Sequence, residues 1–362
     1  MPDLDGNLGR FLVGRVVEAG KHPNADRLQL CRVDVGEGEP RQIVCGAWNF
    51  GAGATVAVAL PGALLPGAAE PLGEAKLRGE LSRGMILSER ELELGVDHSG
   101  IMVLADEHEP GTPLADVLPL TETVLEIETG FNRPDLASVY GIAREVAALT
   151  CAELAPPPGR DPEPAGAEEV DVRVDDLEAC PRYIGRVFRG ATVEPSPPWL
   201  KARLLAAGMR SISNVVDVTN YVMLALGSPL HAFDLSLLEE HRIVVRRAAD
   251  GERILTLDGN ERLLAPTDLV IADARRPVAV AGIMGGEDSE VRPETTDLLL
   301  EAANFDALTV LRASRRLRLR SEASTRWEKG VDPYAAEQAA IHASELLVSL
   351  TGARLTGHAD VH

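Results

Sequence analysis

Between residues 11 and 87 the apolar positions recur every second residue, in short runs. Across 29–35, Cys31, Val33 and Val35 fall on one side and Arg32 and Asp34 on the other, the period of a half-buried strand. Further strands are expected at 11–18, 41–45, 55–60 and 84–87, with glycine-rich turns at 36–38 and 51–53. Short strands separated by such turns predict a small closed all-β barrel, and the length suits an OB-type one.

The period changes after residue 124. A strand-like 124–128 leads to a helix over 138–150, where Ile142, Val146 and Leu149 recur at helical spacing beside Ala143 and Ala147. This small strand and helix cannot bury an apolar face alone. Pro156, Pro157, Pro158, Pro162 and Pro164 then crowd 155–167, the composition of a solvated linker. Beyond it, Ser196 is expected to cap a helix with Pro197 at its first position and Gly208 past its end. A second helix spans 214–226 and stops at Gly227. Strands are expected at 243–247, 253–257, 269–272, 278–283 and 298–303, and helices over 307–317 and 333–350 close the chain. That order predicts an α+β domain without regular βαβ alternation. The fold class is therefore multidomain, an all-β OB-type barrel followed by an α+β domain.

Composition narrows the function. The chain has 362 residues, 45% hydrophobic and 25% charged, with only 4% aromatic; its cores must be built from Val, Leu, Ile and Ala. A net charge of −20 opposes gripping nucleic acid by bulk electrostatics, so any RNA contact is local or supplied by another subunit. The basic run Arg312, Arg315, Arg316, Arg318 and Arg320 reads equally as a solvated helix face or as a phosphate contact. Cys31, Cys45, Cys151 and Cys180 have no metal-type spacing, which points to reduced thiols. The N-terminus has no apolar core of a signal peptide, and no apolar run suffices to cross a bilayer. A soluble, cytoplasmic protein with no membrane contact is expected.

Several segments together carry a resemblance. His22-Pro-Asn-Ala-Asp-Arg-Leu28 and Lys76-Leu-Arg-Gly-Glu-Leu-Ser-Arg-Gly-Met85 resemble the signatures of the EMAP/Trbp-type tRNA-binding barrel. Asn132-Arg-Pro-Asp-Leu-Ala-Ser138 and Gly141-Ile-Ala-Arg-Glu-Val-Ala147 resemble the segment that follows this barrel in the phenylalanine–tRNA ligase beta-subunit family. Asn214-Val-Val-Asp-Val-Thr-Asn-Tyr-Val-Met223, Pro229-Leu-His-Ala-Phe-Asp234, Ala281-Gly-Ile-Met-Gly-Gly286, Leu300-Glu-Ala-Ala-Asn-Phe-Asp306 and Glu322-Ala-Ser-Thr-Arg-Trp-Glu-Lys-Gly-Val-Asp-Pro333 are similar to its editing module. The chain departs from the pattern at Trp48, commonly proline, and at Ser321, often threonine. It also lacks the family's short first segment, which pairs with the region 132–149, and its later modules. A fragment of a longer subunit and a reduced free-standing relative both fit.

The resemblance implies an OB-type tRNA-binding domain over 1–118, a strand-helix bridging element over 119–155, the Pro-rich linker over 156–169, and an α+β editing domain over 170–362. It implies that the parent enzyme, an α2β2 tetramer with an alpha subunit, uses ATP and Mg2+ to charge tRNA(Phe) with phenylalanine. No cofactor or metal ligand is expected in this segment, which shows no ATP-binding motif. Its own chemistry would be hydrolysis of mischarged tyrosyl-tRNA. A phenylalanine pocket rejects an added hydroxyl by only about 10²-fold, whereas a pocket that hydrogen-bonds that hydroxyl rejects the analogue lacking it by roughly 10⁴–10⁵.

For that chemistry Glu301 is the candidate acceptor for the phenol, at the end of the apolar strand; the competing reading is a surface Glu that ends a strand. His231 is the candidate to orient or activate water or to hold the ester, against a satisfied core histidine. Thr219 is the candidate ligand to ester or water, with Asn220 on its flank or capping backbone instead. Gly282, Gly285 and Gly286 would offer close backbone approach and amide donors, or merely a tight turn. Ala323 would leave room for the ring. Lys76, Arg78 and Arg83 are the candidate RNA contacts of the barrel, against a barrel with a structural role. Two alternatives for the whole segment stay open: a non-catalytic docking role, and a factor that edits in trans.

Overall fold

The computed structural model describes residues 4–95, 99–104, 106–121 and 123–362. Residues 1–3, part of the N-terminal stretch read as free of a signal peptide, lie outside them. The helices are α1 (Leu114–Val117), α2 (Val139–Thr150), α3 (Pro198–Ala206), α4 (Asn214–Leu226), α5 (Ala307–Leu317), α6 (Glu322–Trp327) and α7 (Ala335–Thr351). No helix among the described residues is long and apolar enough to cross a membrane. The chain forms two compact units, one of Met1–Leu125 with Pro197–Ser211, the other of Glu126–Ser196 with Ile212–His362.

The first unit contains β1 (Phe11–Lys21), β2 (Gln29–Asp34), β3 (Arg41–Cys45), β4 (Thr55–Ala59), the hairpin β5 (Ala75–Leu77) and β6 (Glu80–Ser82), β7 (Met85–Ile86) and β8 (Val103–Leu104). Its main sheet runs β3-β2-β1-β4-β7, with β8 also on β4. Strand β1 serves two neighbours. Residues 11–15 pair with β4 and 15–21 with β2, with an irregularity between Val16 and Glu18 that lets the strand bend. Alternation puts Val13 in one buried cluster with Phe11, Ala57 and Leu87, and Val16, Val33, Ile43 and Val58 in another. The five strands expected in this region all form; the short hairpin β5–β6 and β8 were not anticipated.

Helix α3 packs into this first unit, although it lies within 170–362. Ala202 joins the core of Phe11 and Leu87, and Lys201 pairs with Glu89 at 2.6 Å. Ser196 does not cap it. Pro197 occupies the cap position without a side-chain bond, while the Ser196 hydroxyl donates to Asp217 Oδ2 at 2.6 Å.

The second unit stacks two sheets. One runs β11 (Leu230–Asp234), β18 (Asp297–Asn304), β10 (Arg182–Arg189), β19 (Arg354–Val361). The other comprises β9 (Asp171–Val174), β12 (Arg242–Arg247), β15 (Leu269–Ala272), β16 (Pro277–Val280) and β17 (Met284–Gly285), in the order β17-β16-β15-β12-β9. A small hairpin, β13 (Arg253–Leu255) with β14 (Glu261–Leu263), stands beside them. Helix α7 covers the outer face of the first sheet, where Ala336 and Ala340 pack on Ile184 and Ala302. The inner faces meet in a core containing Tyr183, Phe233, Val245, Val270, Val280 and Leu299.

Helices α2, α4 and α5 form where expected, each capped by an oxygen that accepts an N–H of the first turn: Ser138, Ser213 and Asp306. Strands β9, β10, β11 and β19 were not anticipated, so the chain does not close on two helices. The expected strand at 124–128 is absent; those residues carry no regular structure. The stretch 278–283 splits, because Gly282 turns it at φ +70°. Nor is the Pro-rich segment a free linker. Ala165 donates to Leu355 O at 2.7 Å, Gln338 donates to Pro158 O, and Asp161 pairs with the buried Arg186 at 2.5 Å. Proline removes amide donors, and this segment is held through its carbonyls, its remaining amides and one carboxylate.

Candidate functional site

The two-residue period of β18 decides what Glu301 meets. Ala302 faces the helices, while Leu299, Ala303 and, past the strand's end, Phe305 face the other sheet. Glu301 shares that inner face and is 6% exposed. It therefore stands inside an eight-residue strand rather than at its end, opposite His231 on β11 and Gly185 on β10. Antiparallel partners that sit opposite each other share a face, so Glu301 and His231 lie side by side between the sheets.

A small cavity of about 70 Å3 opens beside them. Pro229, Leu230 and His231 form one wall, and Gly282, Ile283, Met284 and Gly285 another. Phe305, Ala323 and Trp327 supply an apolar side, where the Phe305 and Trp327 rings meet edge to face at 5.3 Å. The wall over His231 is a glycine for steric reasons: a Cβ at Gly285 would lie 2.8 Å from His231 Nε2. Gly282 is hemmed in by Val310, Trp327 and Phe305 and has positive φ, a combination only glycine tolerates. Ala323 arrives on α6, which is fixed by a capping box between Ser321 and Ser324. The Ser321 hydroxyl also donates to Ile283 O at 2.7 Å, tying α6 to the glycine turn.

Burial sets the charges. It pushes the Glu301 carboxyl up to about 8, opposed in part by the hydrogen bond from Tyr183. It lowers His231 to about 4. At neutral pH the pair is thus a carboxylic acid beside a neutral imidazole, not an ion pair. The buried Nε2 of His231 has no hydrogen-bond partner, and its ring stands edge-on to Phe233 at 4.5 Å. A base held near 4 removes a proton from water inefficiently. The arrangement suits His231 to accept a hydrogen bond and orient its donor better than to act as a general base.

The structure thus brings Glu301, His231, Gly282, Gly285 and Ala323 to one cavity. Thr219 and Asn220 are not among its lining residues. They lie on α4, which packs against α7, α2 and β11, and the Thr219 hydroxyl donates to Val216 O within its own helix at 2.7 Å. Gly286 is also outside the lining. Its amide donates to Val278 O at 2.7 Å, so it is already engaged in the sheet. The lining residues Phe305, Met284 and Trp327 and the neighbouring Tyr183 were missed. For Phe305 a signal existed, since it stands four positions beyond Glu301 and continues the same alternating face.

In the first unit, Lys76, Arg78 and Arg83 are exposed and belong to the hairpin β5–β6 or its edge. His22 anchors that hairpin. Its Nδ1 accepts from Asn24 N at 3.0 Å, so Nε2 carries the proton and donates to Leu77 O at 3.1 Å. Asn24 Nδ2 donates to Arg78 O. The two motifs singled out in this unit are therefore one structural feature. Arg83 has Glu74 at 3.9 Å, an exposed pair that is weak and easily exchanged. Among the described residues no group of three His, Cys, Asp or Glu could hold a metal ion.

Both units have counterparts among known proteins. Residues 11–113 match the family described as "Putative tRNA binding domain", and residues 179–352 match the "B3/4 domain" family. A "Phenylalanine--tRNA ligase beta subunit" of Moorella thermoacetica is 50% identical across 98% of this chain and 45% of its own length. One of Symbiobacterium thermophilum is 48% identical across 99% of this chain and 41% of its own. One of Geobacter metallireducens is 48% identical across 99% and 45%. The chain spans less than half the length of these curated relatives.

Proposed function

Because the chain belongs to the phenylalanine–tRNA ligase beta-subunit family, we propose that it serves an enzyme that charges tRNA(Phe) with phenylalanine, and that its own reaction is hydrolysis of tyrosine wrongly esterified to that tRNA. The partner is then an alpha subunit in an α2β2 assembly, and ATP and Mg2+ act in the charging reaction of the whole enzyme. The 11–113 region is the tRNA-binding element, an OB-type barrel in this reading, and the cavity between the two sheets is the editing site.

The observation that carries this reading is the cross-strand pair Glu301–His231, both partly or wholly withdrawn from water, at a cavity with an aromatic wall. A tyrosine ring fits against Phe305 and Trp327, with Ala323 leaving room for it. Its phenol reaches Glu301, which is neutral and able both to donate and to accept. Phenylalanine in the same place leaves the carboxyl oxygen that does not face Tyr183 without a partner, which costs about 1–3 kcal/mol and supplies the selectivity. His231 accepts a hydrogen bond from the attacking water or from the terminal ribose; the ester C–O bond breaks, the ribose oxygen takes up one proton of that water, and the second is released to solvent as the freed carboxylic acid ionises.

Tyrosyl-tRNA and phenylalanyl-tRNA are offered to the purified protein, with and without the alpha subunit. Selective loss of the tyrosyl ester, falling at least 10-fold in Glu301→Ala, is expected. Equal loss of both esters, or of neither in both settings, rejects the editing role.

A further inference from the structure

Tyr183 does not line the cavity, yet it is the buried group that its key carboxyl addresses. It sits on β10 opposite Ala303, two positions from the residue opposite Glu301, so the two side chains are diagonal neighbours on one face. Tyr183 is 0% exposed. Its ring lies in the core between the sheets, and its hydroxyl stands 3.4 Å from Glu301 Oε2. A buried phenol needs a partner, and here that partner is the carboxyl assigned to recognise a second, external phenol.

We infer that Tyr183 is a positioning residue for tyrosine specificity: its hydroxyl donates to Glu301 Oε2 and so leaves the other oxygen, Oε1, to meet the substrate phenol. The inference rests on the editing reading above. A carboxyl has two nearly equivalent oxygens and a side chain with three rotatable torsions, so an unrestrained Glu301 would sample orientations that do not face the ring. The internal tyrosine consumes one oxygen and fixes the plane of the group. It does so from the interior, where no substrate atom competes. Burial of both partners, with Cys180 also fully buried nearby, keeps water from substituting for either bond. The acid form of Glu301 suits this division, with a carbonyl oxygen accepting from Tyr183 and a hydroxyl free to donate.

Tyr183→Phe removes one oxygen and keeps the ring. In steady-state hydrolysis, KM for tyrosyl-tRNA is expected to rise about 10-fold with kcat within 2-fold, while the slow loss of phenylalanyl-tRNA stays unchanged, so selectivity falls about 10-fold. In a Glu301→Ala background the same change should add nothing, since Tyr183 acts through that carboxyl. An unchanged ratio of tyrosyl to phenylalanyl hydrolysis in Tyr183→Phe, or full additivity in the double variant, overturns the inference. Wild-type protein that fails to prefer tyrosyl-tRNA fails the editing reading instead. Should Tyr183→Phe not fold, the wild-type infrared spectrum minus that of Glu301→Gln decides: a hydrogen-bonded carboxyl C=O band supports the inference, and an unbonded one overturns it.

Discussion

Glu301 shows how a single residue acquires its chemistry from its surroundings. Its ordinary value is 4.5, and burial moves it to about 8. Below pH 4.5 the group is protonated in both folded and unfolded chains and contributes nothing to pH dependence. As pH rises from 4.5 towards 8 the unfolded chain releases the proton while the folded one keeps it, so stability falls; above 8 the loss levels off. Glu301→Gln lacks that loss. The melting temperature of the variant minus that of the wild type should be near zero at pH 4 and grow up to about pH 8, by the equivalent of a few kcal/mol. A difference that is flat with pH would refute it. His231 works in the opposite sense, losing stability as pH falls below 6.5 towards 4, but it is common to both proteins and cancels. Gly285 makes the complementary steric point. Gly285→Ala would press on the His231 ring from 2.7 Å, against a ring braced by Phe233. A loss of about 1–3 kcal/mol, with hydrolysis falling further than stability explains, is expected in paired melting and activity measurements.

At the scale of elements, some strands of the second unit have sequences that hide them. The 182–189 run does not alternate, being buried at every interior position, and it includes Arg186, whose side chain is buried against Asp161 and Ser344 at 2.5 and 3.1 Å. A charged residue inside a strand argues against burial unless its partner is known, and here the partner comes from the Pro-rich segment. Asp161→Ala removes one side of that pair. Since Asp161 is half exposed the loss should be moderate, about 1–3 kcal/mol, with hydrogen exchange rising at Ala165 and Glu168. Unchanged melting and exchange would show that the proline-rich chain is held without it. Helices were easier to read. Ser138, Ser213 and Asp306 each announce a start, and Gly227 and Gly352 supply left-handed stops at φ +82° and +70°.

For the whole molecule, the charge of −20 constrains how tRNA can be held. In the proposed tRNA-binding role, binding concentrates on local cations, and Lys76, Arg78 and Arg83 on the anchored hairpin are the candidates. Every phosphate no longer neutralised by a cation flattens the slope of log affinity against log salt by about 0.7–0.9. The triple change to Ala should therefore weaken tRNA binding and flatten that slope by about 2, read by filter binding from low to moderate salt. An unaltered slope would move the RNA-binding surface elsewhere on the protein.

The alternating runs of the first unit, the capped helices and the motif residues themselves were legible in the amino-acid order, because periodicity, caps and turns are local properties. So was the choice of Glu301, His231 and Ala323 as a group, through resemblance. Strand register, the pairing of Glu301 with His231 and Tyr183, the engaged amide of Gly286 and the bond of the Thr219 hydroxyl to its own helix were not. Each depends on which segments, far apart in sequence, lie side by side. The same holds for protonation. A carboxyl near 8 and an imidazole near 4 are consequences of the space around them, and that space exists only once the two sheets have closed.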